Sequence, residues 1–333
     1  MSLSLEVLAD AYAFESSPRR MDLGVLHVPF DELTDGAETE ARLDASIRRR
    51  EPVALIGASG CGKSSVIAHV LGPTVEGVVP VYVPVAAAPA QTADTADHLA
   101  DHLLTTFSRL AEPIAGLVER DLARSTTTTT RVRRGRAGFA GRWLGADVAG
   151  EVRHQTQTER NATLADKTDA LVQVLAIVAD GHLVPVIVFD DTDRWLSNEN
   201  AQLVTNFFAE GVRWLLELPA ALVVAVHPHY FEVTSQAELL CYLDTRINIP
   251  RLESATAVDA ILRRRIDRIV GAPNPNLTDV LASDASAAVL AVYRESGSLR
   301  RALQVCHTAL HDALSDGVEQ ISARHVVAAA SAG

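Results

Sequence analysis

One stretch of eight residues limits what this 333-residue chain can fold into more than any other: Gly57-Ala-Ser-Gly-Cys-Gly-Lys63-Ser64. It satisfies G-x-x-x-x-G-K-[ST] at every fixed position. An apolar run, Pro52 to Ile56, precedes it, and Lys63 to Leu71 follows with helical character, so the whole reads as strand, tight turn and helix. Glycines 57, 60 and 62 allow the main chain to wrap around phosphate oxygens with no Cβ in the way. The loop amides and the helix N-terminus supply positive potential there. The predicted nucleotide-binding segment is therefore Gly57, Ala58, Ser59, Gly60, Cys61, Gly62, Lys63, Ser64 and Ser65. Lys63 is placed to reach the β and γ phosphates, and Ser64 to ligate Mg2+. Cys61 carries a thiol open to oxidation or alkylation, but reads more simply as the variable position of the loop.

A second motif, VIVFDDTDRW, sets Asp190 and Asp191 at the C-terminal end of an apolar strand. Ligands of open α/β sheets bind at that edge. Asp190 is the expected second Mg2+ ligand, directly or through water, and Asp191 the group that polarises an attacking water. The alternative role for this pair is an acidic N-cap of the next helix. Asp193 and Arg194 read as a solvated local pair.

Around these motifs, strands alternate with helices. The pattern predicts an amphipathic stretch from Leu3 to Phe14, irregular chain through PRRMDLGVLHVPFDEL, and a helix from about Glu38 to Arg50. Next come a strand from Val78 to Val85 and a long helix from about Thr95 to Leu122, with Pro113 as the point where it can break. A helix from Leu164 to Ala179, a strand from Leu183 to Asp191 and a helix from about Asn198 to Leu218 follow. A strand from Ala221 to His227 and a short one reaching Pro250 complete the alternating part. Residues 253–333 read as helices, with a loop at 271–276. The expected fold is α/β, a parallel sheet flanked by helices with a C-terminal helical domain. The expected division is an N-terminal segment 1–37, a core 38–251 with an insertion at 124–160, and a helical domain 252–333.

Composition removes several classes of function. The formal charge of −12 excludes a basic footprint over the whole surface, so any nucleic-acid contact must be local. Cys61, Cys241 and Cys306 are dispersed, which gives neither a disulfide framework nor a zinc knuckle and fits a reducing cytoplasm. The start lacks the order of a signal peptide, and no apolar run approaches the roughly 18 residues of a membrane span. A soluble, cytoplasmic protein with no membrane partner is expected. Aromatics at 5% predict an aliphatic core. The pairs His98/His102 and His307/His311 have i,i+4 spacing without a third ligand, and read as surface or boundary histidines.

The one dense basic patch is Arg131, Arg133, Arg134, Arg136 and Arg142, within a Thr- and Gly-rich stretch whose alternation suggests a β-hairpin or an insertion. It can contact DNA phosphates without reading sequence, with Phe139 and Trp143 available for stacking. It can also meet an acidic protein surface, or remain a solvated loop.

GASGCGKSS and VIVFDDTDRW together resemble the AAA+ and STAND or KAP-like branches of P-loop ATPases. SGSLRRAL, Ser296 to Leu303, resembles the sensor-2 motif of initiators (origin-recognition type) and clamp loaders, usually G-D-x-R-R-A, with Ser298 in place of the acid. AVDAILRRRIDRIV and GVEQISARHVVAAASA resemble the first and last lid helices, so the resemblance spans about residues 38–330. It implies a P-loop core with an α-helical AAA+ lid, ATP and Mg2+ at the crevice between core and lid, and Arg300 directed to the γ-phosphate, Arg301 being the lesser choice. Without it, LRRALQVCHTAL is an amphipathic helix with a solvated arginine pair. His227 falls at the sensor-1 position, or is a structural strand-end histidine. Arg246 falls where a finger would reach a neighbouring subunit of a homo-oligomer; in a STAND relative it is a plain strand residue. The implied activity is ATP hydrolysis driving a switch or remodeller on DNA or a nucleoprotein complex. The alternative is a STAND-type signalling ATPase that regulates a protein effector without nucleic acid. Lys63, Asp190 and Asp191 argue against a degenerate structural subunit.

Overall fold

The apolar runs pair side by side in a five-stranded parallel sheet of order β2-β3-β4-β1-β5, as seen in a computed structural model. The strands are β1 (Pro52–Ile56), β2 (Val78–Val83), β3 (Val184–Phe189), β4 (Ala221–Val226) and β5 (Thr245–Asn248). The structure describes residues 3–72, 76–83, 95–129, 152, 163–195, 201–232, 238, 240–271 and 276–332. Val78 pairs with Val184 and Val83 with Phe189; Val186 pairs with Ala221 and Phe189 with Val224. Every residue of β4 is buried, as is β3 beyond Val184. Strands covered on both faces need apolar residues at every position, which is why these runs do not alternate. Edge strand β5 does alternate: Ile247 is buried between the exposed Arg246 and Asn248. Helices flank the sheet and make up the C-terminal region.

The chain divides into two compact units. One comprises Met1–Leu43, Ile56–Gly72 and Ile247–Gly333, and the other Asp44–Leu55 and Pro73–Arg246.

In the second unit a helix, Thr95–Thr129, runs unbroken through Pro113. The carbonyl that Pro113 leaves without an amide is that of Arg109, and both residues are exposed while Leu103, Phe107 and Ile114 are buried. The Thr tract extends this helix to Thr129, where alternation pointed to insertion or hairpin. Threonines are poor helix nucleators but can prolong an existing helix. The arginine-rich residues 131–142, with Phe139 and Trp143, lie outside the described residues. The helix Leu164–Asp180 begins with a Thr163/Asp166 capping box. Its buried Lys167 is held by Asp97 (2.8 Å) and Asp101 (2.9 Å) of the long helix.

Aromatic residues cluster in one part of this largely aliphatic core. A π-helical turn, Phe207–Gly211, interrupts the predicted helix between Ala201–Asn206 and Val212–Leu215. Consecutive Phe207 and Phe208 are both fully buried. Phe189, Phe207, Phe208 and Tyr230 form a train of edge-to-face contacts with centroids 4.8, 5.1 and 5.5 Å apart.

The first unit holds the helix after the phosphate loop (Lys63–Val70), four C-terminal helices (Ala255–Val270, Ala285–Ser296, Leu299–Ser315, Ala323–Ser331) and short N-terminal helices. Two of the latter, Arg20–Leu26 and Phe30–Leu33, lie in the stretch that sequence reads as irregular. Arg20–Leu26 has no buried residue and therefore no apolar stripe to read; it is set by a backbone approach to Lys63–Val70. A Cβ on Gly24 would stand 2.6 Å from Ala68 O, so only glycine allows this packing. Further along, buried Arg265 donates to Glu15 O at 2.8 Å, and burial pushes its guanidinium down to about 10. Burial pushes neighbouring Cys306 up to about 12, leaving it an inert core thiol.

Replacing Phe207 with Ala should lower unfolding stability by about 3–5 kcal/mol, read as a lower urea midpoint. Leu216→Ala, at a position 38% exposed, should change it by less than about 0.5 kcal/mol.

Candidate nucleotide site

The loop from Gly57 to Gly62 leaves β1 and enters the helix Lys63–Val70 with Gly60 at φ 77° and Gly62 at φ 114°, both left-handed. Among the described residues no backbone bond is recorded for the amides of Gly60 or Gly62, which leaves them as candidate donors to an anion. Lys63 is buried, and its ammonium donates to Gly57 O (2.6 Å) and Ala58 O (3.0 Å). Ala58 O also accepts the Cys61 amide at 3.3 Å. Cys61 Sγ packs against Gly57. Ser64 and Ser65 open the helix; Ser65 donates its amide to Gly62 O (2.9 Å), and its hydroxyl lies 3.0 Å from His27 Nδ1 and 3.4 Å from Leu23 O.

Asp190 follows β3 directly and is buried, with its Oδ1 accepting the Asp191 amide at 2.9 Å. Asp191 sits at φ 61°, a left-handed conformation that Asp tolerates better than most residues. Strain of this kind gathers at functional sites. Thr192, fully buried, donates its hydroxyl to Ala225 O, and Tyr230 donates its own to Thr192 O at 2.9 Å. Burial and the nearby Asp193 carboxylate raise the Tyr230 hydroxyl well above its ordinary value, so it remains a donor. The acidic turn is thereby fastened to the end of β4, the strand that leads to His227.

His227, partly exposed, accepts the His229 amide at its Nδ1 (3.2 Å). Arg246, exposed on edge strand β5, places its guanidinium carbon 5.1 Å from the centroid of the Phe231 ring. Arg300 and Arg301 begin the helix Leu299–Ser315 and differ in setting: Arg300 is exposed, whereas Arg301 donates to Ala330 O at 3.4 Å. The loop and Arg300 belong to the first unit; Asp190, Asp191, His227 and Arg246 belong to the second. The Arg194 side chain lies outside the described residues. His98 and His102 stack at 5.9 Å, and His307 and His311 meet at 4.7 Å.

Three features were not read from sequence. Thr192 and Tyr230 act through contacts 33 and 38 residues apart, which no local spacing reveals. Ser298, noted only as a departure from an acid, caps its helix by accepting the Arg301 amide (3.3 Å), and the Arg300 amide donates to Gly60 O (3.2 Å). His27 is buried in the N-terminal segment, with Nε2 2.7 Å from Glu40 Oε1 and Nδ1 against Ser65. Glu40 also accepts the Phe30 amide at 3.2 Å. Burial raises the Glu40 carboxyl, but the His27 hydrogen bond and charge, with backbone amides, hold it net below 4.5. Its contribution to stability is therefore present above pH 4.5 and lost as pH falls through the folded value. Glu40→Gln should cost about 0.5–1.5 kcal/mol near neutral pH. In urea titrations that deficit should shrink towards zero as the pH drops below 4.5.

The model of the AAA ATPase domain family matches residues 38–224, more than half of the chain. No curated protein matches the sequence. Among solved structures, the Orc2 protein of Aeropyrum pernix (ADPNP–ADP complexes) is 16% identical, covering 95% of this chain and 72% of that one with a TM-score of 0.50. The Orc1 protein of Aeropyrum pernix, in complex with DNA, is 19% identical over 92% of this chain and 68% of that one, with a TM-score of 0.46. Cdc6p from Pyrobaculum aerophilum is 15% identical over 94% and 68%, with a TM-score of 0.48. At 16% identity the likeness to Orc2 is one of fold. Among the described residues no helix is long and apolar enough to cross a membrane. With a left-handed glycine loop at the helix entry and an acidic pair closing β3, the matched segment carries the family's motifs, and the chain belongs to the AAA ATPase family.

Proposed function

We propose that this protein binds ATP with Mg2+ and hydrolyses it as an oligomeric switch or remodeller acting on DNA or a nucleoprotein complex. The observation that carries the ATP reading is Lys63, a buried ammonium at a helix N-terminus whose neighbours include the loop's own carbonyls, Gly57 O and Ala58 O. The triphosphate takes the place of those carbonyls beside Lys63, while the amides of Gly60 and Gly62 bind its oxygens.

A hydroxyl with one buried carboxylate is the hard oxygen donor set that Mg2+ accepts when phosphates complete its shell, so Ser64 and Asp190 are the residues that would hold it. When bound, Mg2+ supplies charge neutralisation at the phosphate oxygens. Asp191 orients the attacking water and takes its proton as the water oxygen bonds to the γ-phosphorus and the bond to the β-γ bridging oxygen breaks. Thr192 and Tyr230 keep that turn in place against β4. Arg300, exposed where Arg301 is anchored, contacts the γ-phosphate; His227 hydrogen-bonds phosphate or water, and Arg246 serves a neighbouring subunit. The DNA reading is supported by Arg131, Arg133, Arg134, Arg136 and Arg142, the dense basic stretch of an acidic chain, and by the initiator-like sensor-2 sequence.

Phosphate release from ATP, measured alone and with single- or double-stranded DNA, tests this. Lys63→Ala should abolish binding and turnover, and Asp191→Asn should lower turnover at least about 100-fold while ATP still binds. DNA should stimulate the native protein, and replacing the five arginines with glutamine should remove only that stimulation. Turnover indifferent to DNA would overturn the DNA reading in favour of a protein-partnered switch, and an active Lys63→Ala would overturn the ATP reading.

A further inference from the structure

The hydrogen bonds of the phosphate loop do not end within it. Lys63 Nζ donates to Ala58 O at 3.0 Å, and the Cys61 amide donates to the same oxygen at 3.3 Å. That amide shares one rigid peptide plane with the carbonyl of Gly60. The Gly60 carbonyl in turn accepts the main-chain amide of Arg300, at 3.2 Å, in the first turn of the helix Leu299–Ser315. Packing closes on the same point. A Cβ at position 60 would overlap Ser298 Oγ and come within 2.9 Å of Arg300 Cβ, so the helix start is seated on the bare face of Gly60. The helix is held from behind as well, by Arg301 on Ala330 O and by buried Leu303, Cys306 and Leu310.

We propose that these bonds form a main-chain relay by which phosphate in the loop is reported to the helix Leu299–Ser315, with Ser298 and the Arg300 amide as its positioning groups. The relay rests on the ATP reading above, but it does not use the Arg300 guanidinium. When Lys63 turns from Ala58 O to phosphate, that oxygen loses its stronger donor and bonds the Cys61 amide alone. Rotation of the Cys61 amide tilts the Gly60 carbonyl with it, because the plane is stiff. The Arg300 bond then strengthens or breaks, and the helix, packed as one body, moves with its first turn. A hydroxyl at 298 caps the helix without placing a negative charge beside the Gly60 carbonyl.

Hydrogen–deuterium exchange over residues 298–303, with and without ADPNP and Mg2+, tests the relay, and a calorimetric titration of the same samples reads binding independently. The expected result is an exchange change on binding in the native protein that persists in Arg300→Ala, which keeps the amide. Gly60→Ala should lose the change while retaining weakened binding; if it does not fold, Ser298→Leu, which crowds the same seat, should lose it instead. Binding that leaves 298–303 unaltered in the native protein overturns the relay and leaves the ATP reading standing. So does a response that Arg300→Ala abolishes. Absence of any binding in the titration overturns both.

Discussion

Lys63 puts a cation at the N-terminus of a helix, the end where the backbone dipole is already positive and where cations are disfavoured. It is also buried, so its ammonium requires oxygens close at hand. Two loop carbonyls supply them, and those carbonyls are in reach because Gly60 and Gly62 take left-handed conformations. Residues with a Cβ would not hold that turn. The ammonium and the helix N-terminus together concentrate positive potential at one spot, the electrostatics that suit an anion. The neighbouring structure adapts to the loop: Ser298 and Arg300 rest on Gly60, and Ser65 engages His27 and Leu23.

The second unit answers a different demand, to hold two carboxylates at the end of a fully buried strand. Asp190 is satisfied in part by the amide of the next residue, which draws Asp191 into its left-handed conformation. Thr192 then turns back to bond β4, and Tyr230 closes over it. The aromatic train from Phe189 to Tyr230 forms the apolar support beneath this turn. Four of the chain's aromatic residues thus meet edge to face beside a polar turn, where they give rigid packing.

Much of this was legible in the residues. The loop, the acidic strand end and the strand–helix alternation follow from local spacing, because a glycine turn and a both-faces-buried strand each impose their own pattern. The helix Arg20–Leu26 was not legible: it buries no residue, and its cause, a backbone approach at Gly24, depends on Ala68, distant in sequence. The Thr tract deceived for the opposite reason, since β-branched residues favour extended chain unless a helix is already formed before them. The π turn at Phe207–Gly211, where two adjacent phenylalanines are both buried, departs from the helical period that local spacing follows. The sensor-2 resemblance ranks Arg300 before Arg301, but the bond that anchors Arg301 to Ala330 O, 29 residues away, is not legible in local spacing.

The central claim is that polyphosphate recognition by the Lys63 loop defines this protein. Calorimetric titration with ATP, ADP and AMP in the presence of Mg2+ tests it most directly. The account predicts one site for ATP and ADP and no measurable binding of AMP, whose single phosphate does not span the loop. AMP bound as tightly as ATP, or heat from none of the three, would contradict it.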